Sequence, residues 1–193
     1  MTPEEEARQK FLMSMYDQMW NNMNRHINII WQPVTVIFTI IGSILVAETQ
    51  NLNVSIIFVI IFLAFLVIGW FLAHVYDSSN WYNRNLVIAT NIEKQFLFDS
   101  DGKEIHPFFK FPQHAKNKMI THFTIQYHLG IGLALAISLY WIAKIIQNKL
   151  GLFNISIYIP LVGVIIAAYY VYKIKEGRDQ AYENLVKSSP GKV

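Results

Sequence analysis

Four runs of apolar residues, each roughly the 17–25 residues that a membrane helix needs, constrain this chain more than any other feature. They are "IIWQPVTVIFTIIGSILVA" (Ile29 to Ala47), "VSIIFVIIFLAFLVIGWFLA" (Val54 to Ala73), "FTIQYHLGIGLALAISLYWIAKII" (Phe123 to Ile146) and "FNISIYIPLVGVIIAAYYVY" (Phe153 to Tyr172). The first and last each hold a proline, Pro33 and Pro160, within their first third, where a late helix start or a kink is tolerated. The linkers "ETQNLN" and "QNKLGL" are short, so consecutive spans pair as antiparallel hairpins. The expected fold is an all-α membrane protein: four transmembrane helices as two hairpins, with helical cytoplasmic extensions.

A soluble chain of 193 residues that is 53% hydrophobic and only 15% charged could not hide its apolar surface, so a lipid bilayer is the expected partner. The absence of cysteine excludes disulfides, zinc–thiolate sites and thiol nucleophiles. A net charge of +3 is too small to point to nucleic acid, and no direct nucleic-acid binding is expected. What matters is where the cations sit. Fourteen of the sixteen Lys and Arg residues precede the first span, fall between spans two and three, or follow the fourth; only Lys144 and Lys149 lie on the other side. By the positive-inside rule both termini and the long loop are cytoplasmic. "MTPEEEARQK" is acidic and polar, unlike a secretory signal peptide.

The chain thus divides into a juxtamembrane helix (1–26), a first hairpin (27–76), a cytoplasmic helix and loop (77–118), a second hairpin (119–172) and a tail (173–193). Thr2, Pro3 and Glu5 form a capping box that starts the first helix. Leu12, Met15, Tyr16, Met19, Trp20 and Met23 then recur every three or four residues as its apolar stripe. From Val54 to Leu97 no proline interrupts, and Gly69 is the only weak point. The pattern predicts one helix of roughly 65 Å, about half of it beyond the membrane. Turn chemistry follows at Asp99, Asp101 and Gly102; the Asp-x-Asp-Gly start is not continued as a calcium loop. The tail continues span four as a helix to about Val186, with Gly177 its weak point.

The candidate site lies on the long helix. His74, Asp77, Trp81 and Arg84 follow steps of three and four and share one face; Asn24, Arg25 and His26 close the first helix. Three meanings compete: a structural network tying the two helices, a subunit contact or pore mouth, and acid–base machinery, for which no nucleophile or metal set is at hand. His106, His114, His122 and His128 lack the close pairing of a zinc site. No arginine has a histidine four to six residues on, as a HEPN-type ribonuclease would need. Gln126 and His128 lie a turn or two inside span three, but a transporter would carry more polar groups at mid-depth. Gly130, Gly132, Ala134 and Ala136 make a small-residue patch suited to close helix packing. No catalytic residue, metal or cofactor is expected.

Together "MWNNMNRHINIIWQPV", "AHVYDSSNWYNRNLVIATNIEKQFL" and "KNKMITHFTIQYHLG" resemble a family of small bacterial four-span membrane proteins of largely uncharacterised function, over about Tyr16 to Pro190. Such chains are similar to the membrane accessories of antiviral loci, those beside RADAR-type and CRISPR systems, and to SLATT-type effectors. The resemblance implies a homo-oligomer of the inner membrane that perturbs or permeabilises it on infection. The alternative is a membrane anchor that recruits a soluble cytoplasmic partner.

Overall fold

The computed structural model describes residues 2–29, 31–98, 100–104, 107 and 117–188. Every regular element among them is helical: α1 (Pro3–Ile29), α2 (Gln32–Thr49), α3 (Val54–Phe96), the single turn α4 (Asp101–Glu104), α5 (Thr121–Gln147) and α6 (Ile159–Ser188), with a 3-10 turn over Ile155–Tyr158 before α6. Asp99, His106 and His114 lie outside the described residues.

The local signals act where the residues place them. The Thr2 amide donates to Glu5 Oε2 at 2.7 Å and the Glu5 amide donates to Thr2 Oγ1 at 3.2 Å, a reciprocal capping box. Pro33 and Pro160 stand at the second position of α2 and of α6, where the missing N–H has no intrahelical partner to lose. Gly69 and Gly177 break nothing: α3 and α6 run through them. At 43 residues α3 is about 65 Å long, some twice the thickness of a hydrocarbon core.

Both hairpin helices end in the same way. Asn51 and Lys149 take the left-handed conformation (φ 49° in each). The amides of Leu52 and Leu150 reach back to the carbonyls of Ala47 and Ile145, and those of Asn51 and Lys149 to Glu48 and Ile146. This is the Schellman closure, usually given to glycine. Lysine carries a Cβ into that conformation at a cost of about 1 kcal/mol. Lys149→Gly is therefore expected to raise the thermal midpoint by a few degrees, read by circular dichroism in detergent.

The chain forms two compact units. One holds α2, α3 as far as Tyr76, and α5 and α6 between Thr124 and Glu176. Its core is α3: Ile57, Phe58, Ile61, Ala64, Phe65, Ile68 and Leu72 are buried, with Ala47, Ile137 and Ile157 set against them. The best-hydrophobic window of α3 is 56% buried while that of α5 is 17%, so α3 is the central helix and α5 a peripheral one. The outward side chains stay apolar, including Phe38 and Leu45 on α2, Leu135 and Leu139 on α5, and Ile165 and Tyr169 on α6. So much exposed hydrocarbon is what a bilayer, not water, would cover.

Contacts within this unit are close where small residues allow it. A Cβ added at Gly69 would lie 2.6 Å from the Cβ of Ala167 and 2.8 Å from its Cα; one at Gly163 would lie 2.9 Å from the carbonyl oxygen of Phe62. Gly163 and Ala167 form a small-xxx-small step of α6 against α3. Gly130, from the patch on α5, meets Leu72 and Phe71, whereas Gly132 faces open space. The end of the unit is pinned by charge. Lys144 Nζ of α5 donates to Glu48 Oε2 of α2 at 2.7 Å, and the Tyr140 hydroxyl bonds the other carboxylate oxygen. Glu48→Gln is expected to weaken this clamp by about 1–2 kcal/mol, seen as a lower thermal midpoint.

The second unit gathers α1, α3 from Asp77 onward, the approach to α5 as far as Phe123, and α6 from Gly177. In it α1 lies antiparallel to α3: Arg8 bonds Gln95, the Tyr16 hydroxyl donates to Glu93 Oε1 at 3.1 Å, and the His26 ring stacks on Trp81. Met19 and Met23 are buried on the inner face of α1. Trp20 departs from the expected stripe and is 47% exposed, as are Phe11 and Met13 to a greater degree. The interior here is mixed: Leu86, Val87, Ala89 and Ile92 share it with Ser78, Ser79, Asn80, Asn83, Asn85 and Thr90.

Candidate functional site

Buried amides need partners, and the partners of α3 organise this second unit. Asn83 Nδ2 donates to Asn117 Oδ1 at 3.0 Å and to the Lys118 carbonyl at 3.1 Å. Asn117 Nδ2 in turn donates to Asp179 Oδ1 on α6 at 2.9 Å. One turn earlier on α3, Asn80 Nδ2 donates to the Arg178 carbonyl at 2.9 Å, and Asp77 Oδ1 pairs with Arg178 Nε at 2.5 Å. Asn117 sits in the left-handed region (φ 48°), which asparagine tolerates better than most side chains. The result is a continuous polar seam from α3 through the segment before α5 to α6.

Of the seven residues singled out on the sequence, three converge. The Trp81 indole stacks with His26 (centroids 6.0 Å apart, planes 5° apart), and the Arg84 guanidinium lies 4.8 Å from the indole centroid. Asp77 pairs instead with Arg178, 101 residues away. His74 belongs to the other unit, where it stacks with Trp70 at 5.9 Å. Asn24 and Arg25 are exposed, and among the described residues their side chains make no hydrogen bond or ion pair. Of these three α1 residues it is His26 that stacks on this face.

The sequence reading missed Asn80, Asn83, Asn117, Arg178, Asp179 and Tyr182. A signal existed for the α3 members: Asp77, Asn80 and Asn83 recur every third residue, a stripe beside the one read. Nothing local marks Asn117 or Arg178.

Beside this seam the unit holds a cleft of about 230 Å³ between α3 and α6, walled by Asn80, Trp81 and Arg84 on one side and Arg178, Tyr182 and Asn184 on the other. Tyr182 is buried, and its hydroxyl has no hydrogen-bond partner among the described residues. Burial pushes its pKa up to about 12. Since the folded state then holds a proton that the unfolded phenol releases near its ordinary pKa, stability falls as pH rises from about 10 to 12. Tyr182→Phe removes an unpartnered hydroxyl, so it is expected to be neutral or stabilising and to flatten that alkaline loss, measured by unfolding midpoint against pH. Among the described residues no group of three or more His, Asp or Glu is placed to hold a metal ion.

In the first unit Gln126 is 2% exposed, with neither end of its amide bonded among the described residues. His128, close by in sequence, is exposed; its Nδ1 lies 2.8 Å from the Thr124 carbonyl.

These features define an all-α, four-span membrane protein: four helices long and apolar enough to cross a bilayer, and a second helical unit built around a polar seam. Comparison with protein-family models, with curated proteins and with solved structures finds no match to this chain, so the resemblance drawn from its motifs is tied to no named family.

Proposed function

We propose that the chain is a non-enzymatic subunit of a homo-oligomer in the bacterial inner membrane, with both termini cytoplasmic, and that the assembled spans perturb the membrane barrier. The observation that carries the oligomer is α5. It is the least buried of the spans, and its outward surface carries a notch: Gly132, with open space where a side chain would be, and Ala136, exposed one turn on. Small residues four apart on a lipid-facing helix let a second backbone approach closely. The fourteen-to-two distribution of cations supports the orientation. A membrane-perturbing role in antiviral defence rests on the resemblance of the three quoted motifs. In this reading His74, Asp77, Trp81 and Arg84, joined by Asn24, Arg25 and His26, serve as subunit contacts or as the mouth on the cytoplasmic side.

The test is the mass of the purified protein in nanodiscs, followed by conductance in a planar bilayer. A defined oligomer that passes current, reduced to a single subunit by Gly132→Leu with helicity unchanged, is the expected result. A silent single subunit would end this reading.

The exposed Phe11, Met13 and Trp20 on α1 favour a second reading, a membrane anchor that presents α1 to a soluble cytoplasmic protein. That reading expects loss of one specific partner on changing these three residues to serine, with the oligomer unaffected.

A further inference from the structure

The cleft between α3 and α6 has a charge that the polar seam does not use up. Two arginines line it, and no carboxylate does. Arg178 is fixed by Asp77 through Nε alone, which leaves both terminal nitrogens without an acceptor among the described residues. Arg84 rests on Trp81 and has no acceptor there either. Asp77 offsets one of the two charges, so the cleft carries a net positive charge of about one, in guanidinium forks whose donors are free. Such forks match the oxygens of phosphate and carboxylate groups, with paired donors in a plane.

Two further features narrow the ligand. The indole is already engaged by His26 and by Arg84, so a stacked nucleobase is the weaker fit. The volume of about 230 Å³ exceeds the ~150 Å³ that holds a benzene ring. It suits an oxyanion with a short polar arm. Around the arginines the lining mixes polar side chains, Asn80, Asn184 and Ser188, with the apolar Ala181 and Leu185. We propose that this cleft binds a phosphate ester of glycerol size, its phosphate held between Arg84 and Arg178 and its hydroxyls by the two asparagines. The same chemistry is found in the head of an anionic phospholipid and in a soluble phosphoglycerol. This binding does not depend on whether the spans assemble into a pore.

The full chain in nanodiscs of phosphatidylcholine, titrated with sn-glycerol 3-phosphate against sodium chloride of equal ionic strength, tests the soluble source. Nanodiscs containing phosphatidylglycerol test the lipid source. The readout is the thermal midpoint. A rise of several degrees with one of the two probes, absent with chloride, is expected, and it identifies the source. Arg84→Gln, an exposed position, should demand at least tenfold more ligand for the same rise. Asn184→Asp, which sets a carboxylate in the cleft, should abolish it even if Arg84→Gln were poorly folded. No rise with either probe, an equal rise with chloride, or variants that respond like the parent would overturn the proposal.

Discussion

Replacing Gly69 or Gly163 by valine is expected to force α3 and α6 apart and to cost at least about 3 kcal/mol, at the upper end of what overpacking does. At both positions the obstacle is backbone rather than a side chain that can turn away. A new Cβ at Gly69 meets the Cα of Ala167 at 2.8 Å, and one at Gly163 meets the Phe62 carbonyl at 2.9 Å. Because the core of this unit is α3, displacing α6 also uncovers part of that core. The measurement is the fraction of folded protein recovered in mild detergent together with its thermal midpoint. Gly42→Val, at a glycine with nothing within 4 Å, is the matched control and should be close to neutral. Equal behaviour of the three variants would show that close approach of α3 and α6 is not what holds this unit.

The second large effect is expected at Asn83. Its side chain is fully buried and serves two acceptors, Asn117 Oδ1 and the Lys118 carbonyl. Asn83→Ala leaves both without their donor, at about 1 kcal/mol each because Asn117 is half-buried and Lys118 exposed, and it also removes Asn83 Oδ1, a buried oxygen with no partner among the described residues. A fall in thermal midpoint of a few degrees should follow. The loss should also be non-additive with Asp179→Ala, because Asn117 joins the two residues in one chain of hydrogen bonds. Additive losses would mean that Asn83 and Asp179 act separately and that the seam is not one network.

Several features were legible along the sequence because they are local. The capping box of α1, the late starts of α2 and α6 at their prolines, and the unbroken run of α3 all follow from residues within a few positions of one another. The apolar stripe of α1 was legible only in part. Met19 and Met23 turn inward as their spacing says, but Trp20 sits next to that stripe and faces out. A 100° step per residue cannot decide on which side a border position falls. The small-residue patch of α5 divides in the same manner: Gly130 packs on Phe71 and Leu72, and Gly132 packs on nothing.

The site was less legible. The stripe His74, Asp77, Trp81 and Arg84 reads on the sequence as one face, yet it is shared among three kinds of contact: a ring stack with Trp70, an ion pair with Arg178, and the Trp81 group with His26 and Arg84. Periodicity shows which residues share a face and is silent on what lies opposite.

What the sequence by itself determined is the solvent and the element type. Apolar runs of bilayer length, the absence of mid-span charge and the helical spacing follow from composition and local backbone physics, and no distant residue can reverse them. What only the tertiary structure decided is which polar group answers which. Asp77 with Arg178, Asn83 with Asn117, Tyr16 with Glu93 and Glu48 with Lys144 join positions 34 to 101 residues apart. Each pair exists because packing of the apolar faces first fixes the helices side by side, and the buried amides and charges then have to be satisfied by whatever that packing brings within reach.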